Sequence, residues 1–409
     1  MMPTGRDSPA RKRGERAPSA APGGSRLGII FLTVFIDLVG FGIILPILPY
    51  YAQRFGAQGL GFGALVGSYS LMQFLATALL GRLSDRVGRR PILLTTMVLN
   101  AVGYTLFAYA GSYAVLLVAR LISGFAGGNI SAAQAYVADI TPAAERSRGM
   151  GLVGAAFGLG FTLGPAVGGF AAHWGGPAAP GLVAAGLSLA NLVSAYFILP
   201  ESLRAEHRVT RALFDFGHIG AAVADRRLRP LMLVWALAPF AFAGYTVALP
   251  LYAGARFGWR ERELGLFFAV VGLTAAVVQG YLYGKIVRRF GERALLIVGM
   301  FGMALGIVVV PLAGSSAALY GWTVVLALSN SVFAPSATGL VSVYVGPTEQ
   351  GTVLGAAQAI AALGRMAGPP ALGQVYDALT PTIAFLAAGL VMALGGAASL
   401  RLEAKRLRG

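Results

Sequence analysis

The sequence predicts an all-α integral membrane protein: twelve transmembrane helices arranged as two six-helix bundles. Three observations carry this expectation. The chain is 56% hydrophobic and 12% charged, with a mean hydropathy of +0.71, whereas a soluble domain carries about 25% charged residues. Its apolar residues fall into twelve segments near the length that spans a bilayer. A glycine–proline signature also recurs 204 residues apart, so that Gly151, Gly160, Gly164 and Pro165 correspond to Gly355, Gly364, Gly368 and Pro369.

Residues 1–26 are rich in Pro, Gly, Ala and Arg without an apolar run, and read as a disordered cytosolic tail rather than a signal peptide. The twelve spans read 27–50, 60–80, 91–111, 113–138, 149–172, 178–199, 230–253, 264–284, 294–313, 317–343, 352–376 and 380–400. The longest polar interval, 200–229, holds a cytosolic middle loop (201–229) dividing an N-terminal bundle (27–200) from a C-terminal one (230–400), and 401–409 is a second cytosolic tail. Shorter repeats support the division. Pro49-Tyr50-Tyr51-Ala52 resembles Pro250-Leu251-Tyr252-Ala253, Arg54-Phe55-Gly56 returns as Arg256-Phe257-Gly258, and Gly81 and Gly88 return as Gly284 and Gly291. Two halves of six spans in the same orientation are a parallel-repeat layout used by secondary transporters.

Orientation follows from Lys and Arg. With the N-terminus inside, the inner segments hold 26 of them and the outer loops 4, a positive-inside bias that places both termini in the cytosol. Arg outnumbers Lys 29 to 3, which suggests a prokaryotic chain and hence a cytoplasmic (inner) membrane.

Charges inside spans are costly and mark function. Asp37 lies about 11 residues into the first span, roughly 16 Å deep at 1.5 Å per residue. Arg120, in the fourth span, is at a similar depth, and Arg365 is near the middle of the eleventh. One reading has Asp37 take up and release a proton while Arg120 tunes it; the other is a fixed ion pair locking two helices. Arg365 either binds an anionic group or hydrogen-bonds carbonyls where its helix is broken near Gly364–Pro370.

The turn after the second span reads Gly81-Arg82-Leu83-Ser84-Asp85-Arg86-Val87-Gly88-Arg89-Arg90-Pro91. Its glycines permit a tight connection, Asp85 is an acid among four arginines, and Asp139 at the inner end of the fourth span is a natural counter-charge. The arrangement reads as a gate latch or as a static positive-inside turn. In the fifth span, Gly160, Gly164 and Gly168 are spaced four apart, making a strip against which another backbone can close, flanked by Pro165 and Gly169. Polar residues inside spans (Gln73, Asn100, Asn129, Gln134, Asn191, Gln279, Asn330 and Gln358) line a cavity or bond across helices. Phe240, Phe242 and Tyr245 face a bulky apolar ligand or pack in the core.

Several functions are disfavoured. There is no phosphate-binding G-x-x-x-x-G-K-[ST] loop, no Cys and only three His, so neither ATP nor a metal centre is expected. The net charge of +16 is spread over short loops rather than a basic domain, which argues against nucleic acid. No nucleophile–base constellation indicates an enzyme.

On these residues the chain resembles the major facilitator superfamily over 27–400, and within it the twelve-span drug:proton antiporters of the tetracycline and multidrug efflux type. Gly81–Arg90 matches the pattern G-x-L-x-D-R-x-G-R-R; Leu116–Gly128 resembles the motif built around an intramembrane Arg; Gly151 through Gly169 fits the antiporter pattern; and Asp37-Leu38-Val39-Gly40-Phe41-Gly42 through Pro46 and Pro49 is similar to the first span of the efflux group. The resemblance implies two bundles around a central cavity, working by alternating access as a monomer. It assigns proton coupling to Asp37 and Arg120, a cytosolic charge network to Asp85, Arg86, Arg89, Arg90 and Asp139, and leak-proof packing to the Gly–Pro helix. It implies export of hydrophobic, drug-like molecules, cations among them, powered by the proton gradient with no cofactor. The cavity candidates are Gln73, Asn129, Gln134, Phe240, Tyr245, Gln279, Asn330 and Arg365. The second copy of the turn has Arg288 in place of Asp85, which weakens the case for a second latch. The rival readings are an uptake symporter or facilitator on the same fold and a membrane sensor that no longer transports.

Overall fold

The computed structural model describes residues 23–141, 146–203, 217–345 and 349–402. The expected N-terminal tail to residue 22, the centre of the middle loop and the end of the C-terminal tail lie outside the described residues.

The first half comprises α1 (Gly23–Ile44), α2 (Leu48–Arg54), α3 (Gly59–Val87), α4 (Arg89–Ala108), α5 (Tyr113–Ala126), α6 (Ile130–Ile140), α7 (Arg146–Gly175) and α8 (Ala179–Ile198). After a short α9 (Gly217–Ala224), the second half comprises α10 (Arg229–Phe257), α11 (Glu261–Val277), α12 (Tyr283–Val308), α13 (Ser316–Tyr344), α14 (Gln350–Ala378) and α15 (Pro381–Leu400). Among the described residues these make twelve passages. Eight stretches are long and apolar enough to cross a bilayer, and one of them, Glu261–Val308, makes two passages. The bent pair α1–α2 adds one, and the Gly-rich α7 and α14 complete the set.

Local chemistry sets the breaks. The first span is not one straight helix: α1 and α2 meet at 42°, where Pro46 and Pro49 remove two backbone donors. Arg89 follows Val87 with only Gly88 between, because Gly88 adopts φ +120°, which glycine alone tolerates well. Gly291, at φ +75°, makes the same reversal inside α12. Ser112 caps α5 through Val115 N and Ser315 caps α13 through Ala318 N, a repeated N-cap.

Packing repeats too. In the first half α7 lies on α1, where a Cβ on Gly164 would stand 2.7 Å from the Gly42 Cα and one on Gly160 would press on Leu38 at 2.5 Å. In the second half α14 lies on α10, where Gly364 and Gly368 meet the backbone at Ala236 and Phe240. The same two helices join the halves. A Cβ on Gly169 of α7 would stand 2.7 Å from the Gly265 Cα on α11, and Gly59, Gly63 and Gly67 of α3 abut Gly373, Pro369 and Met366 of α14. With no hydrophobic drive between helices in lipid, such small-residue contacts are what packs them.

The two ends of the molecule differ. Opposite the arginine-rich turn, Asp377 at the end of α14 accepts from Gly59 N at 2.9 Å and Leu60 N at 2.7 Å, capping α3 of the other half. There the Tyr50 hydroxyl donates to the Trp259 carbonyl at 3.0 Å, and Val247 and Leu251 of α10 join the first half's apolar core. Toward the arginine-rich turn, the core around Ile30, Leu93, Tyr136 and Ala195 contains first-half residues alone. The seam is sealed at one end and unshared in its core at the other.

Candidate functional site

Asp37 sits mid-way along α1 and is half-buried. Asn100 of α4 donates to its Oδ1 at 3.2 Å, and Asn129 donates to Oδ2 at 2.5 Å. Asn129 reaches it because the chain tightens to a 3-10 turn over Gly127–Asn129 between α5 and α6. That turn is held from α3, where Gln73 Nε2 donates to the Gly127 carbonyl at 3.3 Å. Asn129 also lies 3.2 Å from Thr96 Oγ1, which fixes its amide. Both partners of the carboxylate are neutral amides. A side-chain amide carries donors at one end and an acceptor at the other, so the pair can serve a carboxylate and, after rotation, a carboxylic acid.

Arg120 does not pair with Asp37. It is 2% exposed, and its Nε donates to the Leu65 carbonyl at 3.4 Å. Its guanidinium lies 4.5 Å from the centre of the Tyr69 ring and 5.6 Å from that of Phe41. The two rings are themselves 4.5 Å apart. Stacking on aromatic faces substitutes for an ion pair, a use open to the planar guanidinium. The fixed pair weighed from the sequence is therefore not made. Arg120 Nη2 is buried without a hydrogen-bond partner. Arg365, half-buried in α14, makes no hydrogen bond or ion pair among the described residues, and lies within electrostatic reach of Tyr69, as do Arg120 and Asp37.

The arginine-rich turn forms a closed network around Arg89, which is 6% exposed. Its Nη2 pairs with Asp85 Oδ1 at 2.5 Å and its Nε with Asp139 Oδ2 at 3.2 Å, while Nη1 donates to Ser84 Oγ at 2.6 Å. Ser202 Oγ also donates to Asp139, at 3.0 Å. Glu201 caps α4 by accepting from Arg89 N at 2.9 Å and Arg90 N at 3.1 Å, placing an acid at the positive end of a helix. Arg90 Nη2 donates to the Tyr196 carbonyl at 2.6 Å. Arg86 is half-buried at the end of α3, and Gly81 supplies a carbonyl 3.5 Å from Arg89 Nη1.

The remaining expectations divide. Gln134 and Gln279 are exposed, the latter in a π-helical stretch, Val278–Leu282, and Asn330 is half-buried. The backbone at Phe240 meets α14 at Gly364 and Gly368, and its half-buried side chain packs against the second half's core. Tyr245 has the packing its core alternative describes: at 3% exposure it sits in the second half's core with the Phe385 ring at 6.2 Å, between α10 and α15. Gly151 lies in α7 where the surroundings are outside the described residues. Two surface recesses lie at the sealed end, one around Gly56–Gly61 and Asp377 and one around His173 and Arg260–Glu263, away from Asp37. Sequence reasoning missed Tyr69, Glu201 and Asp377. Glu201 had one signal, an acid directly after the sixth apolar span; the other two had none.

A family model described as Major Facilitator Superfamily matches residues 30–289 and 254–408. The chain is similar to tetracycline resistance protein, class C, of Escherichia coli, 32% identical over 367 residues that cover 87% of this chain and 90% of that protein. It is also similar to multidrug resistance protein 2 of Bacillus subtilis (strain 168), 29% identical over 381 residues that cover 90% and 92%. Among solved structures, that of the human organic anion transporter MFSD10 (TETRAN) matches with a TM-score of 0.71 at 28% identity, covering 93% of this chain and 100% of that one.

Proposed function

The chain belongs to the major facilitator superfamily, and from that premise we propose that it expels hydrophobic small molecules from the cell in exchange for protons. The relatives named for tetracycline and multidrug resistance support the direction of transport. The observation that carries the coupling is the setting of Asp37: half-buried in mid-span, and held by Asn100 and Asn129 instead of by Arg120. A carboxylate locked to a guanidinium would stay charged. One held by two reversible amides can be neutralised without losing its hydrogen bonds.

Positive-inside orientation puts the arginine-rich turn in the cytosol. The end capped by Asp377 is then external, and the described state is the one whose unshared core faces the cytosol. In this reading Asp37 releases its proton inward and binds another from outside after the halves rock. At 100 mV each charge moved contributes about 2.3 kcal/mol. No cofactor is required, and one chain suffices.

Everted membrane vesicles test this. Adding a transported drug to energised wild-type vesicles should release protons from the lumen, and Asp37→Asn should abolish that movement while leaving the protein folded in the membrane. Normal pumping by the variant would remove Asp37 from the mechanism.

A further inference from the structure

The charges at mid-membrane do not balance. Asp37 is satisfied by two neutral amides and neutralises neither nearby arginine. Arg120 is buried on the Tyr69 and Phe41 rings with Nη2 unpartnered. Arg365 makes no hydrogen bond or ion pair among the described residues.

These groups share one level of the seam. A Cβ on Gly67 of α3 would stand 2.6 Å from the Met366 carbonyl of α14, so Tyr69 and Arg365 occupy the stretch where the two halves touch. Gly124 lets α5 approach the Tyr69 backbone, which brings Arg120 from the same helix onto the Tyr69 ring. One guanidinium, from the first half, is therefore stacked on Tyr69, and one, from the second half, lies within electrostatic reach of it across the seam, at a depth where a charge needs a partner.

We infer that Arg365 receives an anionic group of the transported molecule, a carboxylate or phenolate carried on an aromatic frame, with Arg120 and Tyr69 completing the subsite. The inference rests on the transporter reading and names the substrate class. The guanidinium fork suits a carboxylate through two parallel hydrogen bonds, and the Phe41 and Tyr69 rings favour a flat apolar frame. A ligand so held touches both halves at once, which couples its presence to their relative position.

Two dyes with a common xanthene frame test this, fluorescein as the anion and rhodamine 6G as the cation. Binding is read by fluorescence polarisation on the full-length protein in nanodiscs without a pH gradient. Wild type should hold fluorescein more tightly than rhodamine 6G. Arg365→Gln should weaken fluorescein at least about ten-fold, the loss of one charge-assisted contact, and leave rhodamine 6G unchanged or tighter. Arg365→Lys should recover part of the loss, and its thermal melt shows that it folds. The inference fails if wild type prefers rhodamine 6G or binds neither dye, or if Arg365→Gln holds fluorescein within two-fold of wild type. Because no gradient is applied, intact fluorescein binding alongside failed proton exchange would instead count against the coupling at Asp37.

Discussion

The two halves share a skeleton and differ in chemistry. In each, a glycine-lined helix lies on the first helix of its own half and then reaches across to the other: α7 on α1 and α11, and α14 on α10 and α3. In each, a single glycine with positive φ reverses the chain between the second and third passages, Gly88 in one and Gly291 in the other. An arginine just past that glycine ties to the carbonyl end of the half's last helix, Arg90 to Tyr196 and Arg293 to Leu400. The acids do not repeat. The first half has Asp85, Asp139 and Glu201 gathered about its turn, whereas Arg288, in Asp85's place, is exposed and has no hydrogen-bond or ion-pair partner among the described residues. The first half also holds Asp37 and the stacked Arg120. The repeated backbone geometry suits two halves that fit the same bilayer and each other, while the side-chain chemistry is concentrated in one of them.

The strongest test of the shared skeleton is steric. Gly164→Leu and Gly368→Leu each drive a side chain into a backbone already in contact, and overpacking of this kind costs about 1–3 kcal/mol. Thermal unfolding in detergent should fall by a similar amount in both variants, and a drop in only one would mean that the two glycine strips are not equivalent. A smaller effect should separate the halves. Arg89→Ala removes a buried donor from two carboxylates that are themselves about a quarter to a third exposed, for a loss of about 1–2 kcal/mol after allowing for that exposure. Arg288→Ala, at an exposed site, should stay within about 0.5 kcal/mol. Equal losses would contradict the asymmetry. Smaller than the Arg89 effect is that of Glu201→Gln, which keeps a hydrogen-bond acceptor but removes the charge from the start of α4, about 0.3–1 kcal/mol. It should appear as faster amide exchange at Arg89 and Arg90, with no counterpart at the start of the ninth passage.

Much of this could be read in the sequence because membrane folds are limited by thickness. Apolar length finds the spans, and glycine spacing finds the faces where backbones meet. Asp37, Arg120 and Arg365 are visible because a charge amid apolar residues is conspicuous. Their partners are not, since they depend on helix rotation. Asn129 reaches Asp37 only through the 3-10 turn at Gly127, and Arg120 turns to Tyr69 although an acid lies at similar depth. Asp377 sits at the very end of its helix, where an acid is unremarkable, and its partners Gly59 and Leu60 are more than 300 residues away. Tyr245 could not be separated from Phe240, five residues before it, by residue type alone; both pack on the second half's core, and only Tyr245, beside Phe385, is fully buried there.

The Gly169–Gly265 contact has a thermodynamic consequence. Two backbones meeting without side chains have no rotamers to freeze on closing and none to reorganise on parting. If the halves rock as proposed, the junction would act as a bearing rather than a lock, with the Asp377 cap, the Tyr50–Trp259 hydrogen bond and the packing of Val247 and Leu251 holding the sealed end. In that proposed cycle the glycine contact would part at little entropic cost, and the contacts around it would set how long the sealed position lasts.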